Sequence, residues 1–265
     1  GHVDGGGAGR DGRADHFGAF GVGAGGVDKG GFANGSEGIA LGGGYILNAS
    51  GALISGANSA ILVDDGSGGS GLAATTLENF GSIQGLDGFG VKFVGEFADN
   101  VINGGTFSGS NGLALDLGGG NDNLTLRSGS RFIGVVDGGS GYDRVVMDDP
   151  AGGNFGSSRN FEWLEVRQGA WTLTGHDDFS DGGAVRNGAT LINQGGIAGN
   201  LTVDTGGVYA GGGSVGSLTV NGTLRTDTRL GRATIMHDLN LGSGATLAYG
   251  VNADGSSAPV QVGGT

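Results

Sequence analysis

The chain has 265 residues, of which 66 are glycine, two are proline and none is cysteine, and 26 acidic against 13 basic side chains give a formal net charge of −13. Glycine without a three-residue period excludes collagen, and the lack of cysteine excludes a disulfide scaffold and thiolate-held zinc. The acidic balance, with no basic cluster interleaved with aromatics, speaks against nucleic acid as a partner.

Disorder is the other reading of so much glycine. However, 37% apolar residues in short alternating runs, with only 15% charged, suffice to bury a core. Few windows of eleven residues lack glycine, and each interior glycine costs a helix up to about 1 kcal/mol. The expectation is therefore an all-β chain in which glycine serves the turns.

Residues 1 to 35 hold fourteen glycines and few paired apolar positions, which predicts loose coils or an irregular N-terminal cap. The opening GHVDGGGAGR lacks the charged-then-apolar layout of a signal peptide. The expectation is that this segment belongs to a longer protein whose export signal lies upstream.

From residue 36 a phrase recurs: ILNASGALISG at 46–56, LENFGSIQG at 77–85 and VINGGTFSG at 101–109. Aligned on the closing glycine, Ile54, Ile83 and Phe107 fall at one position and point one way. Asn48, Asn79 and Asn103 open each phrase, and asparagines stacked along a solenoid can hydrogen-bond to their neighbours or close turns.

Residues 113–147 then show two rounds of strand and glycine-rich turn, with Asp122 and Asp143 placed 21 residues apart. A period of about 20 to 50 residues is the mark of a solenoid. With coils of about 22 residues stacked ~4.8 Å apart, the chain makes roughly a dozen coils, read as one elongated domain over 36–265. GGSGYDRV at 138–145 fits the G-G-x-G-x-D-x-U phrase of calcium-binding β-rolls, and GGGNDNL at 118–124 fits it less well. Calcium in that fold needs tandem repeats. Asp122 and Asp143 are thus weak calcium candidates, and their spacing favours a role in bonding turn amides.

Adjacent carboxylates occur at Asp64-Asp65, Asp148-Asp149 and Asp177-Asp178, the residue types with which β-helical polysaccharide lyases and hydrolases work. All three lie in turn-like sequence. His176 with Asp177, Asp178 and Ser180 supplies the types of a nucleophilic triad without its geometry, and no G-x-S-x-G elbow occurs. No catalytic residue and no cofactor site is assigned.

The final third repeats GNLTV at 199–203, GSLTV at 216–220 and DLNLG at 238–242. Side chains two apart share one face of a strand, so Leu201 and Val203, Leu218 and Val220, and Leu239 and Leu241 form an inward ladder. Thr202, Thr219 and Asn240 face out. Leu191, Leu224 and Leu247 make a second inward face, and Phe132, Phe161, Trp163 and Trp171 fill wider places in the interior.

In this order, LDLGGGNDNLTLRSGSRFIGVVDGGSGYDRVV from residue 115, FEWLEVRQGAWTLTG from 161, and the GNLTV and GSLTVNGTL units resemble the passenger region of bacterial autotransporters, over about residues 40–265. The resemblance implies a right-handed parallel β-helix, exported by type V secretion through a C-terminal β-barrel. Residues 185–265 would be membrane-proximal, autochaperone-like coils. It implies display at the cell surface, tethered to the outer membrane or released from it. The implied activity is that of an adhesin or self-association and virulence scaffold. The implied partners are a host-cell or matrix receptor, sister passengers and the chain's own translocator barrel, with no insertion of this segment into the membrane. A β-helix lyase or hydrolase and a structural stalk are the alternatives.

Overall fold

The computed structural model describes residues 20–24, 27–29, 37–156, 158–177 and 179–264. The described residues form 30 β-strands and no helix, with parallel strands stacked as a β-solenoid of about 10 turns. Most of the segment 1–35, read from sequence as a cap, lies outside the described residues. Its strands Phe20–Ala24 and Val27–Lys29 pair in parallel with Gly44–Asn48 and Leu53–Gly56. The chain divides into two compact units: residues 1–125 with 129–143, and residues 126–128 with 144–265.

In the first unit each coil contributes one inward apolar position to each of three columns, and the long strand Thr106–Asp116 supplies two of them. Ile46, Leu77 and Val101 are register partners, as are Ile54, Ile83 and Phe107, and Ile61, Val91 and Leu115. All nine side chains are fully buried. Alternation supplies the reason, because the strand Thr75–Asn79 buries residues 75, 77 and 79 and leaves 76 and 78 half-exposed. Phe107 continues its column onto Phe132, ring over ring with centroids 5.6 Å apart.

The second unit repeats the principle with different residues. Leu164, Gly183, Leu201, Leu218 and Leu239 form one column, and Val166, Val185, Val203, Val220 and Leu241 a second. Trp171, Leu191, Tyr209, Leu224 and Leu247 form a third. Leu201, Val203, Leu218 and Val220 are fully buried. Leu239 keeps the register but is only half-buried, while Leu241 and Leu247 are exposed. Among the described residues, the strands that carry Leu241 and Leu247 pair on one side only. An inward position is closed by the coils on both sides of it, so these leucines keep their direction and lose their cover. Thr202 and Thr219 are half-buried on the outer face, in register with the exposed Asn240.

Phe161 and Trp171 are buried, but Phe132 and Trp163 are only half-buried. Trp163 starts the strand Trp163–Leu173, and alternation from the inward Leu164 turns its side chain outward. Coil length is also less uniform than a 22-residue repeat. In the first unit the step is 31 residues from Asn48 to Asn79 and 24 from there to Asn103. In the second, the column partners Leu164, Gly183, Leu201 and Leu218 lie 19, 18 and 17 residues apart. Loops outside the strands absorb the difference, so the register of the columns is indifferent to it.

Candidate functional site

Two buried polar arrangements stand out from the apolar columns. The first belongs to the first unit and clamps its strands at both ends. At the strand ends, Asn48 Nδ2 donates to Asn79 Oδ1 at 2.8 Å, and Asn79 Nδ2 donates to Asn103 Oδ1 at 2.9 Å. The Oδ1 atoms of Asn79 and Asn103 also accept the amides of Gly81 and Gly105. An Asn-x-Gly turn therefore meets the need of its own backbone and of the next coil with one side chain. Asn193 does the same in the second unit, accepting the amide of Gly195 and donating to Tyr209 Oη at 3.1 Å. Burial pushes the Tyr209 phenol up to about 12, so it remains a neutral hydroxyl in this contact.

At the strand starts, Asp99, Asp122 and Asp143 form a column of carboxyls that are 7%, 1% and 0% exposed. The amide of Thr75 donates to Asp99 Oδ1 at 2.5 Å, that of Asp99 to Asp122 Oδ1 at 2.7 Å, and that of Asp122 to Asp143 Oδ1 at 2.7 Å. The column is thus a ladder in which each carboxyl holds the backbone of the preceding coil. Burial raises the pKa of Asp99 to about 6, against the opposing effect of the Thr75 amide. Burial likewise raises Asp122 to about 8, and the negative charges of Asp143, Asp99 and Glu96 add to it.

The aspartates singled out for calcium are therefore the residues of this ladder, with one oxygen of each already given to an amide. Among the described residues, no three His, Asp or Glu side chains converge in a way that could hold a metal ion. Asp99, the third member, carries no glycine-aspartate phrase. The signal available for it was an Asp immediately before a strand, 23 residues ahead of Asp122.

The second arrangement, in the second unit, is a charged strip. Glu165, only 6% exposed, receives Arg144 Nη2 at 2.7 Å, Arg186 Nε at 2.8 Å and Arg167 Nη2 at 3.1 Å. Arg186 continues to Asp204 at 3.2 Å, and Asp148 accepts from Gln168 at 2.7 Å and lies 3.5 Å from Arg127. Burial pushes the Glu165 carboxyl up, but the hydrogen bonds and charges of Arg186 and Arg167 outweigh it and hold the group below its usual value. Sequence reading missed this strip. Its signal was a charge directly after a short run that ends on an apolar residue, at Arg127, Asp148, Arg167, Arg186 and Asp204.

Among the described residues, the pairs Asp64-Asp65 and Asp148-Asp149 do not assemble a catalytic constellation. Asp64 and Asp65 accept the amides of their own loop, from Gly66, Ser67, Gly68 and Gly69. Asp148 belongs to the strip, and Asp149 accepts the amide of Ala151. The side chains of His176, Asp177 and Asp178 lie outside the described residues. Compared with family models, with curated proteins and with solved structures, the chain finds no match.

Proposed function

We propose that this chain is a passenger β-helix of the autotransporter kind, displayed at the cell surface as an adhesin or self-association scaffold. The observation that carries the reading is the coil-to-coil register of its repeat. The LTV units at 201–203 and 218–220 pair residue for residue, leucine and valine inward and threonine outward. Such stacking offers a row of polar strand faces and turn loops as binding surface, at positions that the core does not use. Among the described residues, the carboxylates of Asp64, Asp143 and Glu165 are engaged in a turn, in the aspartate ladder and in the arginine strip, which favours a scaffold over a lyase or hydrolase.

The test is an antibody to this chain applied to intact host cells, with and without external protease. Surface labelling that protease removes, on a polypeptide anchored in the outer membrane, is the expected result. An unanchored soluble antigen of about this size would overturn the display reading. Hydrolysis or elimination of an acidic polysaccharide, abolished by changing one carboxylate, would replace the adhesin with an enzyme. Adhesion unchanged after removal of residues 36–150 from the native protein would reduce this region to a stalk.

A further inference from the structure

We infer that the aspartate column of the first unit is a proton-operated clasp, which holds its coils together when Asp122 is neutral and loosens them when Asp122 ionises. Three carboxyls lie in one line with their neighbours a single coil away, and each has one oxygen committed to a backbone amide of the preceding coil. The second oxygen of Asp122 is buried and meets no hydrogen-bond partner among the described residues. The strongest charges acting on Asp122 are Asp143 from one neighbouring coil, Asp99 from the other and Glu96 from the turn before Asp99, all of them negative. An ionised carboxylate in that position is desolvated, has one bare oxygen and faces like charges on both sides. A neutral one keeps its bond to the Asp99 amide and is relieved of the repulsion.

A divalent cation would relieve the same repulsion, but it needs several free oxygens at once. The amides already occupy Oδ1 of Asp99, Asp122 and Asp143. The occupant that fits a single bare oxygen is a proton. An aspartate in an unfolded chain ionises near ~3.9, whereas Asp99 and Asp122 in the fold do so at about 6 and about 8. Between those values the folded chain binds more protons than the unfolded one. The stability that these groups contribute is therefore full below the unfolded value of ~3.9 and is lost as pH rises from there through about 6 for Asp99 and about 8 for Asp122.

The experiment is thermal unfolding of the full chain at pH 5.5 and pH 8.5, together with a 13C carboxyl titration of the unaltered protein. The expected result is a Tm lower by about 5 °C or more at the higher pH. Asp122→Asn, which stays neutral and keeps an oxygen for the Asp99 amide, should lose at least half of that difference, while Asp87→Asn on an exposed turn should keep all of it. The titration reads Asp122 directly even if the variant fails to fold, and a midpoint above pH 6 supports the clasp. A midpoint below pH 5, or an equal Tm difference in the wild type and Asp122→Asn, would overturn it. So would calcium that raises Tm at pH 8.5 in the wild type and not in Asp122→Asn, because the column would then be a cation site.

Discussion

Asn79 stands between Asn48 and Asn103 and satisfies all four of its hydrogen-bonding positions: Nδ2 donates to Asn103 Oδ1 and to the carbonyl of Thr106, and Oδ1 accepts from Asn48 and Gly81. One fully buried side chain thereby ties three coils together. Asn79→Ala leaves several of these groups without a partner in a place that water does not reach. The expected loss is about 3 kcal/mol, read from denaturant unfolding. Asn79→Asp keeps the acceptor and removes both donors, so it should be no milder. A loss below about 1 kcal/mol in the alanine variant would mean that the column is incidental to stability.

The glycine two residues after the asparagine is required by the stacking. A Cβ at Gly105 would overlap the carbonyl of Gly81 in the neighbouring coil, a backbone atom that cannot swing aside. Gly105→Ala must therefore push two coils apart, with an expected cost of about 2 to 3 kcal/mol. At Gly244 an added Cβ meets open space, so Gly244→Ala should be neutral or stabilise by a few tenths to about 1 kcal/mol. Comparable effects at the two sites in parallel melts would count against inter-coil contact as the reason for the motif.

Leu218 and Thr219 test the facing of the second unit with a single substituent. Leu218 is fully buried between Leu201 and Leu239, whereas Thr219 lies on the outer face. Leu218→Asp places a charge between stacked coils and should prevent that region from folding at neutral pH. Thr219→Asp should lower Tm by only a few degrees, as is usual for a substitution away from the core. The measurement is a pair of thermal melts with amide exchange, and the Leu218 variant should lose protection over the strands that pair with Ser214–Val220.

How far the fold could be read in advance follows from what stacking does to a sequence. Register pairing puts like residues opposite like, so Ile54, Ile83 and Phe107, or Leu201 and Leu218, recur in a phrase that can be aligned by eye. Asn48, Asn79 and Asn103 were visible for the same reason. Coil length was not, because steps of 31 and 24 residues serve one asparagine column once loops take up the excess. The exposure of Leu241 was hidden as well, since burial there depends on the adjoining coil rather than on the residue. The charged strip escaped because its members mix both signs, so Arg127, Asp148, Arg167, Arg186 and Asp204 do not repeat one letter. Asp122 and Asp143 were legible as amide-bonding residues of a repeat, but that the amides belong to the preceding coil, and that Asp99 extends the line, shows only in the Oδ1 contacts.

Glu165 predicts a pH response opposite in sign to that of the aspartate column. Its carboxyl is held below its usual value by Arg186 and Arg167, so in the range just below the unfolded value of ~4.3 the folded chain binds fewer protons than the unfolded one. The stability that Glu165 contributes is therefore complete above that value and is lost as pH falls through the depressed one. Glu165→Gln removes the charge from under three arginines whose side chains are 39% to 47% exposed, and water offsets part of the loss. The expected cost at pH 7 is about 1 to 2 kcal/mol, shrinking toward zero at pH 3. Unfolding followed by amide exchange, unit by unit, should show the second unit weakening in acid below pH 4.5 while the first gains stability between pH 8 and pH 5. If Glu165→Gln lost as much stability at pH 3 as at pH 7, the strip would act through packing of its arginine stems and not through charge.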